Sequence, residues 1–194
     1  AIGMLGAPLP ADAQQTARVG RIGVLYSTTP ASASQSVEVF SQRLREHGYL
    51  EGQNIIVERR YGEAKPERMA ELAAELVRLN VDVIVTSTYE AIAAVKQQTR
   101  TIPIVMVFSS DPIGTGFVAS LARPGSNITG LTSNSPELSA KRMELLKEVI
   151  PGLSRVAIMW NPDVRGNLLE YKETAEAARS LRLQPLRTPV RSAH

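Results

Sequence analysis

Four short polar clusters, each directly behind an apolar, β-branched run, hold most of the chemistry available to this chain: Ser27-Thr28-Thr29, Ser87-Thr88-Tyr89-Glu90, Ser109-Ser110-Asp111 and Trp160-Asn161-Pro162. Hydroxyls, amides and a carboxylate at such places can hold a solute by hydrogen bonds. Ser87 and Thr88 stand where a helix begins, so the free N–H groups of its first turn could accept a carboxylate. The alternative is that one of the two simply caps the helix. Asp111, before Pro112, could pair with an ammonium group or could merely open a turn. Tyr26, Tyr89 and Trp160 could stack on an apolar solute, or could serve as core or rim aromatics.

Catalysis finds little support beside these clusters. The chain has no Cys, so disulfides, thiolate nucleophiles and Cys-ligated metals are excluded. Its two His, His47 near a helix end and the terminal His194, cannot make a zinc site by themselves. No His–carboxylate–hydroxyl set can be assembled around His47. The phosphate-binding loop ending in Gly-Lys-Ser/Thr, the three-glycine dinucleotide turn and the Gly-x-Ser-x-Gly elbow are all missing, and Gly114-Thr115-Gly116 lacks the third glycine. We therefore expect no enzyme, no cofactor and no metal. Lys and Arg number 22 against 19 Asp and Glu, scattered along helical faces without a basic block, which argues against a nucleic-acid partner.

The elements that must position the clusters can be read from periodicity. Ile22–Tyr26, Val81–Val85 and Ile104–Phe108 are apolar runs of buried-strand type, while Ile55, Val57, Arg59 and Tyr61 alternate as in a half-exposed strand. Helical spacing joins Val37, Phe40 and Leu44, from about Ser34 to the stop at Gly48. It joins Met69, Leu72, Ala73 and Leu76 after Pro66, and Ile92 and Val95 after the third strand. A short helix is expected near Phe117–Leu121, then a turn at Arg123-Pro124-Gly125-Ser126 and a strand at Asn127–Leu131. This alternation predicts an α/β fold, a doubly wound, mostly parallel sheet with helices on both faces.

Near residue 130 the rhythm restarts. A helix over Pro136–Val149, a strand over Val156–Trp160, a helix carrying Leu168, Tyr171, Ala175 and Ala178, and a Pro-interrupted strand over Leu183–Val190 follow. The division expected is an N-terminal lobe over 14–130 and a partial second lobe over 131–194; the alternative is one more βα unit on the first sheet. Residues 1–13 are small and apolar and end in Ala11-Asp12-Ala13, which reads as the remnant of a signal peptide cleaved before Gln14. No later stretch reaches the roughly 20 apolar residues of a membrane span.

Three segments resemble the ABC-transporter substrate-binding protein family that includes tryptophan/tyrosine-type receptors: FSQRLREHGYLEGQNIIVERRYGE, MAELAAELVRLNVDVIVTSTYEAIAAVKQQTRTIPIVMVFSSDPIGTGFVASLARPGSNITGL and PELSAKRMELLKEVIPGLSRVAIMWNP. The resemblance covers roughly residues 20–190. It implies a type I periplasmic-binding-protein fold, with two α/β lobes closing on a small solute, the first complete and the second truncated, and Asn127–Leu131 as the first hinge crossing. It further implies a monomeric, extracytoplasmic receptor that delivers its solute, often an amino acid and especially an aromatic one, to a membrane permease. Carried over by the family pattern, the cleft would be formed by Ser27 and Thr28, by Ser87, Thr88 and Tyr89, and by Asp111, with Trp160 and Asn161 facing them from the second lobe. Two other readings share the fold: the effector-sensing domain of a transcription regulator, and a small doubly wound enzyme.

Overall fold

Five parallel strands build the first lobe: β1 Gly20–Tyr26, β2 Ile55–Tyr61, β3 Val83–Thr86, β4 Ile104–Ser109 and β5 Ile128–Thr132, in the spatial order β2-β1-β3-β4-β5. The computed structural model describes residues 19–133, 135–162 and 165–191. The signal-peptide reading of residues 1–13 and the terminal His194 lie outside the described residues.

Parallel strands need long crossovers, and the helices supply them. Between β1 and β2 runs α1, Pro30–Glu46; a single 3-10 turn leads into α2, Met69–Arg78; and α3 spans Tyr89–Gln98. Helix α1 begins earlier than its apolar spacing suggests. Thr29 accepts the Ser32 N–H at 3.2 Å and Pro30 occupies the first helical position, so capping chemistry rather than periodicity sets this end.

One face of the sheet packs on α2 and α3. Leu25, Ile84, Ile104 and Ile128 from four strands meet Leu76, Ile92 and Val95 there, and each is almost fully buried. On the opposite face Val24 of β1 is buried, as is Ala33 of α1, but Val107 and Leu131 farther along stay at least half exposed. Gly130 lets β4 and β5 approach: a Cβ there would meet the Met106 carbonyl oxygen at 2.0 Å, and its φ of +148° suits glycine alone. The helix expected near Phe117–Leu121 is absent. That segment is a loop in which the N–H groups of Phe117 and Val118 both reach the Pro112 carbonyl, pinned by the two buried side chains.

The restart forms a separate unit: α4 Ser135–Val149, β6 Arg155–Trp160, α5 Arg165–Ser180 and β7 Gln184–Pro189. Strands β6 and β7 pair in parallel as a two-stranded sheet of their own. Ile158, Trp160, Ala175, Ala178 and Leu183 are its buried apolar residues among those described, and Thr174 on α5 donates to Ser139 on α4 at 3.2 Å. Among the described residues no helix is long and apolar enough to cross a membrane.

Candidate functional site

The strand order reverses between β1 and β3. The connection from β1 leads outward to β2, whereas β3, β4 and β5 follow on the other side. Adjacent loops diverge at such a point and leave a crevice outside the carboxyl ends of the strands. A cleft of about 720 Å³ lies there. Ser27 and Thr28 enter it from the end of β1, Ser87, Thr88, Tyr89 and Glu90 from the end of β3, and Phe108, Ser109 and Ser110 from the end of β4. Met69 and Phe117 add apolar floor, Lys65 stands at one side, and Asn167 and Glu170 reach in from α5 of the second lobe.

The β3–α3 junction is the most constrained part of this cleft. Thr86 is buried, and its hydroxyl donates to the Leu25 carbonyl at 2.9 Å, fastening the end of β3 to β1. Thr88 then adopts φ 70°, ψ 149°, a backbone conformation that a β-branched residue rarely takes and that stores about 1–3 kcal/mol. No side chain caps α3, so the capping alternative for Ser87 or Thr88 is not realised. The Thr88 Oγ1 is buried without a hydrogen-bonding partner among the described residues. The first turn of α3 therefore offers uncapped N–H donors and a partial positive charge to the same cleft, with the buried Thr88 hydroxyl behind them.

Of the expected site residues, Ser27, Thr28, Ser87, Thr88 and Tyr89 all line this cleft. The Tyr89 ring rests against Phe117, with centroids 5.4 Å apart and planes tilted by 35°. Asp111 is not among the cleft residues. Its carboxylate accepts the Gly114 N–H at 2.8 Å and its carbonyl accepts the Thr115 hydroxyl at 2.7 Å, so it opens the turn before Phe117. Trp160 is also elsewhere, buried in the second lobe with its ring stacked on Tyr171 at 4.7 Å and Arg187 lying over it. Asn161, next along the chain, is half-buried and does not line the cleft. Tyr26 stacks on its strand neighbour Tyr61 at 5.2 Å, and burial pushes its hydroxyl above the usual tyrosine range. The proximity of Tyr61 adds to that rise, while Arg59 opposes it.

Several cleft residues carried no distinctive signal. Phe108 reads as the last core position of β4, yet it is 54% exposed and turned to the cleft end of the sheet. Met69 belongs to both the core face of α2 and the cleft floor. Asn167 and Glu170 enter only because α5 stands over the first lobe, which no local pattern encodes.

Comparison with known proteins bears on this geometry. Residues 21–191 match the family described as ABC transporter substrate binding protein. A curated relative, the "Tyrosine-binding protein" of Clostridioides difficile (strain R20291), is 27% identical over 140 residues, covering 72% of this chain and 40% of the relative. Among solved structures, a conserved domain protein from Vibrio cholerae O1 biovar El Tor superposes with a TM-score of 0.78 at 24% identity, over 89% of this chain and 58% of that one. An ABC domain from Streptococcus pneumoniae in complex with L-Trp gives 0.75 at 23% identity, over 88% and 57%. The chain thus spans less than two thirds of the length of each of these relatives. The superpositions establish the type I periplasmic-binding-protein fold.

Proposed function

The chain belongs to the ABC transporter substrate-binding protein family, and from that premise we propose that it is the receptor part of an importer that takes a small carboxylate-bearing solute into this cleft. The observation that carries the reading is the uncapped start of α3, which opens into an otherwise apolar-floored cleft beside the buried Thr88 hydroxyl, unpartnered among the described residues. A helix N-terminus favours an anion, and the hydroxyls of Ser27, Thr28, Ser87, Ser109 and Ser110 surround the place where one would sit. Phe108, Phe117, Tyr89 and Met69 offer apolar surface to the rest of the solute. An amino acid with an aromatic or large apolar side chain meets both demands. The named tyrosine-binding relative and the L-Trp complex agree in class.

Binding would draw Asn167 and Glu170 of the second lobe toward the first, and a membrane permease would read the closed form. On this reading the protein works outside the cytoplasm, as a monomer. The test is an amide-resolved NMR titration of the 194-residue chain with L-tryptophan. Saturable shifts at Ser87–Glu90 and Ser109–Ser110 are expected. Shifts confined to other surfaces, or none at all, would remove the solute class from the reading.

A further inference from the structure

Among the described residues, three charged side chains line the cleft: Lys65, Glu90 and Glu170. Two of them are paired. Lys65 lies 3.6 Å from Glu63, and Glu170 accepts Arg142 at 3.1 Å. Glu90 is half-buried in the cleft wall and makes no ion pair or hydrogen bond among the described residues. An unpaired carboxylate in a partly desolvated, apolar-floored site is unfavourable unless something cationic joins it. The dipole of α3 offsets part of that penalty, since Glu90 sits in the first turn. The dipole does not require the side chain to line the cleft.

The position of Glu90 next to Tyr89 matters for what could join it. A single helical turn presents N–H donors for an anion and, one residue on, a free acceptor for a cation. The two charged groups of an α-amino acid hang on one carbon atom and match that juxtaposition. Asp111, the other acid of the strand-end clusters, is committed to its own turn through the Gly114 N–H. We propose that Glu90 pairs the α-ammonium group of the solute and so selects amino acids over the corresponding carboxylic acids. This inference rests on the receptor reading above and adds to it a specificity residue.

The experiment is a pair of NMR titrations of the 194-residue chain, with L-tryptophan and with indole-3-propanoate, which differs only in lacking the ammonium group. Wild type should prefer L-tryptophan. Glu90→Gln should weaken L-tryptophan by about tenfold or more while leaving indole-3-propanoate unchanged or tighter, as expected for loss of one charged hydrogen bond. Glu67→Gln, on an exposed turn outside the cleft, should alter neither. A Glu90→Gln chain that keeps the wild-type preference overturns the assignment and leaves the receptor reading intact, as does a wild type that binds the two probes equally. A wild type that binds neither probe at the cleft overturns the receptor reading, and the role of Glu90 with it.

Discussion

At the scale of single residues, Thr88 carries the sharpest conflict between stability and use. Its positive φ and its buried hydroxyl, unpartnered among the described residues, are both unfavourable. Glycine would relieve the strain but would also remove the hydroxyl. Thr88→Gly should therefore leave the fold unchanged or up to about 1 kcal/mol more stable by urea unfolding. It should also weaken L-tryptophan by roughly three- to tenfold, the worth of one net hydrogen bond. A loss of stability with unchanged affinity would mean that Thr88 is held for packing. Away from the cleft, Arg59 donates to both oxygens of Glu51 at 2.6 and 2.8 Å. Those hydrogen bonds, against a smaller desolvation effect, hold the Glu51 carboxyl below its ordinary range. A carboxyl depressed in the folded state adds stability that is present above its unfolded value of 4.5 and is lost as pH falls through the lower folded value. Melting temperatures of wild type and Glu51→Gln should thus differ at pH 6 and converge toward pH 3. A gap that is constant with pH would contradict the linkage.

At the scale of elements, local chemistry decided where the periodicity pointed only approximately. The apolar spacing of Val37, Phe40 and Leu44 identifies α1, but the Thr29 cap and Pro30 extend it by about a turn. Phe117 and Val118 have helix-compatible neighbours and still form a loop, because Asp111 and Pro112 bind the backbone that a helix would need. Asp111 is accordingly a turn residue. Asp111→Ala should lower stability by about 1 kcal/mol through loss of the Gly114 hydrogen bond. It should leave affinity for L-tryptophan within about twofold. A large fall in affinity without a fall in stability would return Asp111 to the cleft.

At the scale of the whole molecule, the described residues build two cores with no residue in common. The first lobe packs Leu25, Leu76, Ile84, Ile92 and Ile104, and the second packs Ile158, Trp160 and Ala178. Trp160 anchors the smaller core through Tyr171, with Arg187 across its ring. Trp160→Ala should cost about 3–5 kcal/mol, as for other buried aromatic truncations, and the loss should be local. Hydrogen exchange should accelerate in β6, β7 and α5 while β1, β3 and β4 keep their protection. Uniform acceleration over both sheets would show that the lobes unfold as one unit.

Much of this protein was legible in its residues. Apolar, β-branched runs separated by helical spacing dictate a parallel α/β sheet, because each run must be buried on both faces and each crossover must be long. The hydroxyl clusters fall at the carboxyl ends of those runs for the same reason, so local spacing alone places Ser27, Thr28, Ser87, Thr88 and Tyr89 at one end of the sheet, where they line the cleft. Side chains such as Phe108, Asp111 and Trp160 could not be sorted that way. A terminal strand residue faces core or crevice according to which neighbours the sheet order brings beside it, and an acid faces solute or turn according to the N–H groups within reach. Only the tertiary structure put Asp111 on Gly114, Trp160 on Tyr171 and Glu90 in the cleft with no partner among the described residues. Those placements depend on contacts between segments far apart in the chain, and local spacing does not encode them.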